Sequence, residues 1–193
     1  MDTTIGGLIL AAGEARRFGS PKQLALHRGR PLLEHALAAM AAAPALGMRV
    51  VVLGAGADAI LAAVDLHGAQ PVIAPDWADG QSASLRAGVA ALADRAGAIV
   101  ITLGDQPNIS AEAIDTVIGA RDPREADALR ATYSGRPGHP VLLERSLFAA
   151  SESLHGDQGA RDLLARARLR LVPCDGRGDD TDIDLRQQIR IWA

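Results

Sequence analysis

The chain is poor in the residues that build several common kinds of site. Cysteine occurs once, as Cys174, so an intramolecular disulfide and a cysteine metal cluster are both excluded. Aromatic residues make up only 3% of the composition, which leaves little surface on which to stack bases. A net charge of −3 likewise gives no basic face for a nucleic acid. No apolar run reaches membrane-spanning length, and the most apolar long stretch, 37–46, is broken by Pro44. Met1 and Asp2 are followed by only a short apolar run with no basic region before it, so no secretory leader is expected. Together these absences predict a soluble cytoplasmic protein without nucleic-acid or membrane partners.

The scarcest residue is the most informative. Of 20 basic side chains, Lys22 is the only lysine. Arginine serves wherever positive charge is wanted, so one retained lysine suggests a task for a compact point charge that a wide planar guanidinium cannot perform. Lys22 closes the stretch Gly13-Glu14-Ala15-Arg16-Arg17-Phe18-Gly19-Ser20-Pro21-Lys22, directly after an apolar run. A buried strand opening into a glycine-containing cationic loop is how α/β proteins build anion sites. Gly13 allows close backbone approach to a ligand, and Arg17 and Lys22 are placed to converge on phosphate oxygens. The loop is neither a Walker P-loop nor a dinucleotide GxGxxG fingerprint.

Hydrophobic residues form 48% of the chain and are alanine-heavy, so helices are expected to pack closely on a sheet. Short apolar runs alternate with longer amphipathic ones, predicting an α/β protein with a largely parallel sheet. Expected strands are 8–10, 49–53, 71–74, 98–103, 128–133, 141–143 and 169–173. Expected helices are 31–43, 57–64, 82–94, 110–119 and 159–168. Segment 134–140 reads as a long Gly/Pro-rich loop, a lid or substrate wall. No repeat or linker divides the chain, so 1–193 is read as one domain.

Asp105 in Leu103-Gly104-Asp105-Gln106-Pro107 falls just past an apolar strand, where open α/β sheets bind ligands. The position suits a hard-oxygen ligand for Mg²⁺ and equally a turn organiser before Pro107. Asp182 and Asp184 share strand-like i, i+2 spacing, so either is a candidate to complete a metal site with Asp105, or they form a solvated acidic turn. Gly80 and Ser84 lie around an expected helix start that suits a polar ligand edge or an ordinary cap. His139 and the segment 156–161 are candidates for the wall of a second substrate.

These stretches together resemble the MobA-like nucleotidyltransferases, and within them the MocA-type molybdenum cofactor cytidylyltransferases. The resemblance rests on LAAGEARRFGSPK, DWADGQSASLRAG, GDQP, GRPGHPVLL, GDQGARDLL and DTDID, which span nearly the whole chain. It implies a three-layer αβα, Rossmann-like fold in which the first loop, with Leu10, Ala11, Ala12, Gly13, Gly19 and Lys22, wraps a nucleoside triphosphate. Arg17 and Lys22 then lie on phosphates and Asp105 on Mg²⁺, with Gln106, Gly138, His139, Pro140 and Arg161 toward the acceptor. The Ala11-Ala12-Gly13 form goes with cytidine in that family. The implied reaction moves CMP from CTP to molybdopterin, with a molybdoenzyme as transient recipient of the product. Two departures stand out: Ala15 replaces the family's serine, and Leu185-Arg186-Gln187-Gln188 replaces its Thr-Pro-Glu-Asp. Rival readings are the same chemistry on a sugar 1-phosphate or phospho-alcohol, and a non-catalytic molybdopterin- or nucleotide-binding chaperone.

Overall fold

A computed structural model describes residues 4–13 and 21–183, and the frame of the molecule is a seven-stranded sheet. In chain order, β1 (Ile5–Ala11) is followed by a small hairpin of β2 (Leu26–His27) and β3 (Arg30–Pro31), then α1 (Leu32–Ala42) and β4 (Leu46–Leu53). Next come α2 (Ala57–Ala63), β5 (Gln70–Ile73), α3 (Gln81–Leu92), β6 (Ala98–Leu103) and α4 (Ala111–Gly119). The remainder is β7 (Ala128–Tyr133), β8 (Arg136–Glu144), α5 (Phe148–Ser151), α6 (Ala160–Leu164) and β9 (Leu169–Pro173).

The sheet order is β5-β4-β1-β6-β8-β7-β9, with β8 alone running against the rest. The sheet is therefore mostly parallel, as the alternation of short and long apolar segments predicts. After β1 the chain builds outward through β4 and β5, then returns to lay β6 on the other side of β1. That reversal makes a switch point at the carboxyl ends of β1 and β6, where open α/β sheets leave a crevice.

Strand residues alternate between two buried layers. Ile9, Val51, Leu53 and Val100 pack with Leu33, Leu37 and Met40 of α1, Ile60 of α2 and Ile114 and Val117 of α4. Leu8, Val50, Val52, Ile99 and Ile101 pack on the opposite face with Leu85, Val89 and Leu92 of α3, Phe148 of α5 and Leu163 and Leu164 of α6. The result is three layers, αβα. Burial of each of these large aliphatic side chains contributes about 1.5–3 kcal/mol. Small residues allow the layers to approach: a Cβ on Gly88 of α3 would overlap Leu8 of β1, and one on Gly104 would meet the Ala11 Cβ at 2.8 Å. Arg121, just beyond α4, grips Glu144 at the end of β8 through two hydrogen bonds of 2.7 and 2.8 Å, tying a helix to the reversed strand.

Two expectations need correction. Segment 134–140 is not a long loop: Ser134 and Gly135, both at positive φ, form a tight turn, and Arg136–Glu144 is continuous strand. Prolines 137 and 140 are tolerated because β6 pairs with β8 only over 141–144, so the first half of β8 has a neighbour on one side alone. The helix expected over 159–168 is the shorter α6, Ala160–Leu164, and α5 precedes it unforeseen. Among the described residues, no helix is long and apolar enough to cross a membrane.

Candidate active site

A cleft of about 770 Å³ opens at the switch point, within the range of small-molecule sites. Its floor is the carboxyl end of β1 and β6, and its walls come from the start of α3, from β8 and from the start of α6. Leu10, Ala11, Ala12, Gly13, Lys22 and Asp105 line one end. Gly80 and Ser84 line it from the start of α3, His139 from β8 and Arg161 from α6. Arg17, Gly19 and Asp184 lie outside the described residues.

The lone lysine and the strand-end aspartate meet. Lys22 Nζ donates to Asp105 Oδ2 at 2.7 Å, with the two side chains 15% and 27% exposed. Lys22 begins a 3-10 turn, Lys22–Leu24, whose next residue, the buried Gln23, anchors it to the sheet. Gln23 Nε2 donates to the carbonyls of Ala11 and Gly13 at 2.7 and 3.2 Å, so the strand exit and the lysine turn are held together. Sequence reasoning missed Gln23, because a glutamine beside an exposed-looking Pro-Lys carries no pattern of burial. A Cβ at Gly13 would touch nothing within 4 Å among the described residues, and Gly13 lines the cleft.

The acidic C-terminal stretch returns to the same edge. Ile183 donates its backbone N–H to the Asp105 carbonyl at 3.0 Å. Gln106, buried below the strand end, donates Nε2 to Asp182 Oδ1 at 2.7 Å and to the Asp180 carbonyl at 3.1 Å. Asn108 holds the Asp179 carboxylate. Asp182 is thus brought beside the Asp105 segment by backbone and side-chain bonds, giving hard carboxylate oxygens of the kind Mg²⁺ and Mn²⁺ accept. Gln106 turns its amide nitrogen to this stretch, and Gly138 and Pro140 are buried in β8 behind the cleft lining. A Cβ on Gly138 would overlap the Asp180 carboxylate, so β8 and the acidic stretch pack without a gap. A separate group, Glu34, Asp65 and His67, also has potential ligand atoms within 4.8 Å of one another, but none of the three lines the cleft.

On the α3 wall, Ser84 is 7% exposed and its hydroxyl makes no hydrogen bond among the described residues, leaving it available to a ligand. Trp77, which the sequence did not single out by role, packs against Gly54 and lines the cleft beside Gly80.

His139 is held neutral. Burial, reinforced by the nearby positive charge of Arg130, pushes its imidazole down to about 4 from the ordinary 6.5. Burial also lowers His27 and His35. Below pH 6.5 the unfolded chain therefore takes up protons that these folded imidazoles refuse, so stability falls as pH drops from 6.5 toward 4. For His139 the loss at the low end is up to about 2–3 kcal/mol. Thermal melts across that window should show Tm falling, and His139→Gln should flatten part of the slope. A slope unchanged in the variant would show that the imidazole is not desolvated.

Strand order and the position of the switch point give an open, mostly parallel α/β sheet with its cleft at the strand ends. The chain belongs to the MobA-like NTP transferase domain family, whose model matches residues 7–171. A Mycobacterium tuberculosis Rv0371c homologue from Mycobacterium sp. strain JC1 superposes with a TM-score of 0.87 at 33% identity, covering 99% of this chain and 96% of that one. Rv0371c of M. tuberculosis, solved as a complex with manganese, gives a TM-score of 0.79 at 30% identity and covers 98% of both chains. Nicotine blue oxidoreductase of Paenarthrobacter nicotinovorans is 32% identical, over 96% of this chain and 94% of its own.

Proposed function

We propose that the protein transfers CMP from CTP to a phosphate-bearing acceptor, Mo-molybdopterin, with release of pyrophosphate. The observation that carries this reading is the Lys22–Asp105 pair at the switch-point cleft of a MobA-like chain. The Ala11-Ala12-Gly13 form at the strand exit supports cytidine over guanosine, by resemblance to the cytidylyl branch. An acceptor phosphate oxygen attacks the α-phosphorus in line, the bond from the α-phosphorus to the bridging oxygen breaks, and pyrophosphate leaves. No enzyme nucleophile is needed, so catalysis consists of positioning and charge neutralisation. Lys22 swings from the Asp105 carboxylate to the departing phosphates and meets the charge that grows there. Asp105, with Asp182 beside it, is then free to hold Mg²⁺. A divalent cation bound there supplies positive charge next to the triphosphate. Ser84 and the exposed backbone of Gly13 fix the nucleoside end. A molybdoenzyme that receives the finished cofactor is the partner this reading entails.

A second reading has one observation in its favour. A relative that matches over nearly its whole length is named as an oxidoreductase. The deciding experiment measures pyrophosphate release from CTP, GTP and ATP with Mg²⁺ and Mo-molybdopterin, in wild type and Asp105→Ala, beside an assay of NADH and NADPH consumption with nicotine blue. CTP-selective release that needs both acceptor and Asp105 is expected. Dye reduction without release would replace the proposal with the redox reading. Nucleotide binding with neither activity would point to a different acceptor or to a non-catalytic carrier of the cofactor.

A further inference from the structure

The cleft has a second cationic end. Arg130 is the third residue of β7 and alternates onto the face that carries α3, α5 and α6, opposite Leu129 and Ala131. There it lines the cleft together with Arg161 of α6 and His139 of β8. Two of its nitrogens are committed to backbone: Nε donates to the Gly138 carbonyl at 3.1 Å and one terminal nitrogen to Pro137 at 3.3 Å. These bonds lock the guanidinium plane against β8 and leave the other terminal nitrogen without a hydrogen bond among the described residues.

Neither Arg130 nor Arg161 has an ion-pair partner among the described residues, and the acidic groups nearby form no ion pair with either arginine there. Asp162 Oδ2 accepts from the Gly159 N–H at 3.0 Å, and the Asp180 carboxylate packs against Gly138. Asp157 sits at the junction with Gly80. Burial lowers the Arg130 pKa, Asp180 opposes that shift, and the neighbouring Arg161 adds to it. Asp180 offsets part of this charge, yet two guanidinium groups that repel one another, one of them half-buried and pre-oriented, still gain when an anion comes between them. A guanidinium stays charged at any working pH and offers paired donors in a geometry that matches phosphate. His139, being neutral beside them, contributes a hydrogen-bonding nitrogen and no charge.

The geometry points to Arg130 and Arg161 as an anion subsite for the acceptor's phosphomonoester, with Arg130 two strands across the sheet from the β6 exit that carries Asp105. The inference rests on the nucleotidyl-transfer reading of the cleft and deepens it. One cationic pole takes the leaving pyrophosphate, while the other holds the attacking phosphate and aims its oxygen at the α-phosphorus.

The test needs no turnover. The ³¹P resonance of phenyl phosphate is followed as protein is added in millimolar CTP without divalent cation, so that the nucleotide end is filled and no transfer occurs. The line should broaden and saturate with wild type. Arg161→Gln should weaken binding roughly tenfold or more, as loss of a charged hydrogen-bond donor does, and the Arg130→Gln/Arg161→Gln double variant further. CTP affinity, read from Trp77 fluorescence, should stay within about twofold of wild type, because the subsite lies away from Lys22. Arg161 is exposed on α6, so its variant folds even if Arg130→Gln does not. Phenyl phosphate that fails to bind, is displaced by CTP, or binds Arg161→Gln as well as wild type overturns the subsite. Because the readout is binding, failure of CMP transfer to molybdopterin would leave this result standing.

Discussion

If the proposed reaction is right, Lys22→Ala should lower the rate of pyrophosphate release on the order of 100-fold or more, and Lys22→Arg should recover little of it. The size of the effect follows from where the charge is needed. Negative charge gathers on the departing pyrophosphate as the bond breaks, and a compact cation on a flexible stem can turn from Asp105 to meet it. The failure of arginine follows from the turn. Gln23 is pinned to two carbonyls of the β1 exit, so the backbone at 22 cannot retreat to admit a longer, planar head group. Lys22 reaches the Asp105 carboxylate at 2.7 Å, a contact that suits a point charge. Its loss should cost only about 1 kcal/mol of stability, as for other partly exposed ion pairs, so a melting curve separates lost chemistry from lost fold. Steady-state kcat and CTP affinity for both variants form the check. Comparable turnover in the alanine and arginine variants would remove the lysine from the mechanism.

Gly80→Ala should be the most damaging small substitution in the cleft wall. Gly80 has φ +109° and ψ −174°, a region open in practice to glycine alone, and it immediately precedes α3. A Cβ there would also overlap the carbonyl of Gly156, in the turn before α6. That carbonyl accepts the Ser82 N–H at 3.1 Å, so relieving the clash breaks the bond that joins the two halves of the wall. Strain and clash together should cost about 3 kcal/mol or more, which in a chain of this size lowers Tm on the order of 10 °C. Gly156→Ala provides the contrast. Its φ is +58° but nothing lies within 4 Å of an added Cβ, so only about 1 kcal/mol should be lost. Equal Tm shifts for the two variants would show that the Gly80–Gly156 contact does not bear on stability.

The sheet was legible because its strands are short, apolar and regularly separated by helices. The pattern 98–103 matched β6 residue for residue. Helix starts with a side-chain cap were equally clear: Ser110 Oγ accepts from the Ala113 N–H at 3.1 Å. Strand β8 was not legible, since two prolines and a glycine read as loop unless it is known that one side of the strand is unpaired there. Lys22 and Asp105 stood out by rarity and by position at a strand end, and the cleft brings them together. What remained hidden depends on which face a residue takes in a folded sheet. Arg130 in Ala-Leu-Arg-Ala-Thr-Tyr looks like an ordinary solvent-facing strand arginine, and only the arrival of α6 across that face turns it into a wall of the cleft. Gly80, legible as a flexible residue near a ligand, owes its identity equally to Gly156, some 76 positions away.

The seam between the β6 exit and the acidic stretch governs when the cleft takes shape. Gln106 and Asp182 are 76 residues apart, and Lys22 and Asp105 are 83 apart. The β1–β6 pairing, from Ile5 to Ala98, already closes a longer loop than the Lys22–Asp105 contact, so once that pairing has formed the contact costs little further chain entropy. The same seam is held by the hydrogen bonds of Gln106 and Ile183, which makes it a natural unit of partial opening. In native-state hydrogen exchange, the Ile183 amide should therefore exchange through an opening that leaves the β1–β6 ladder intact.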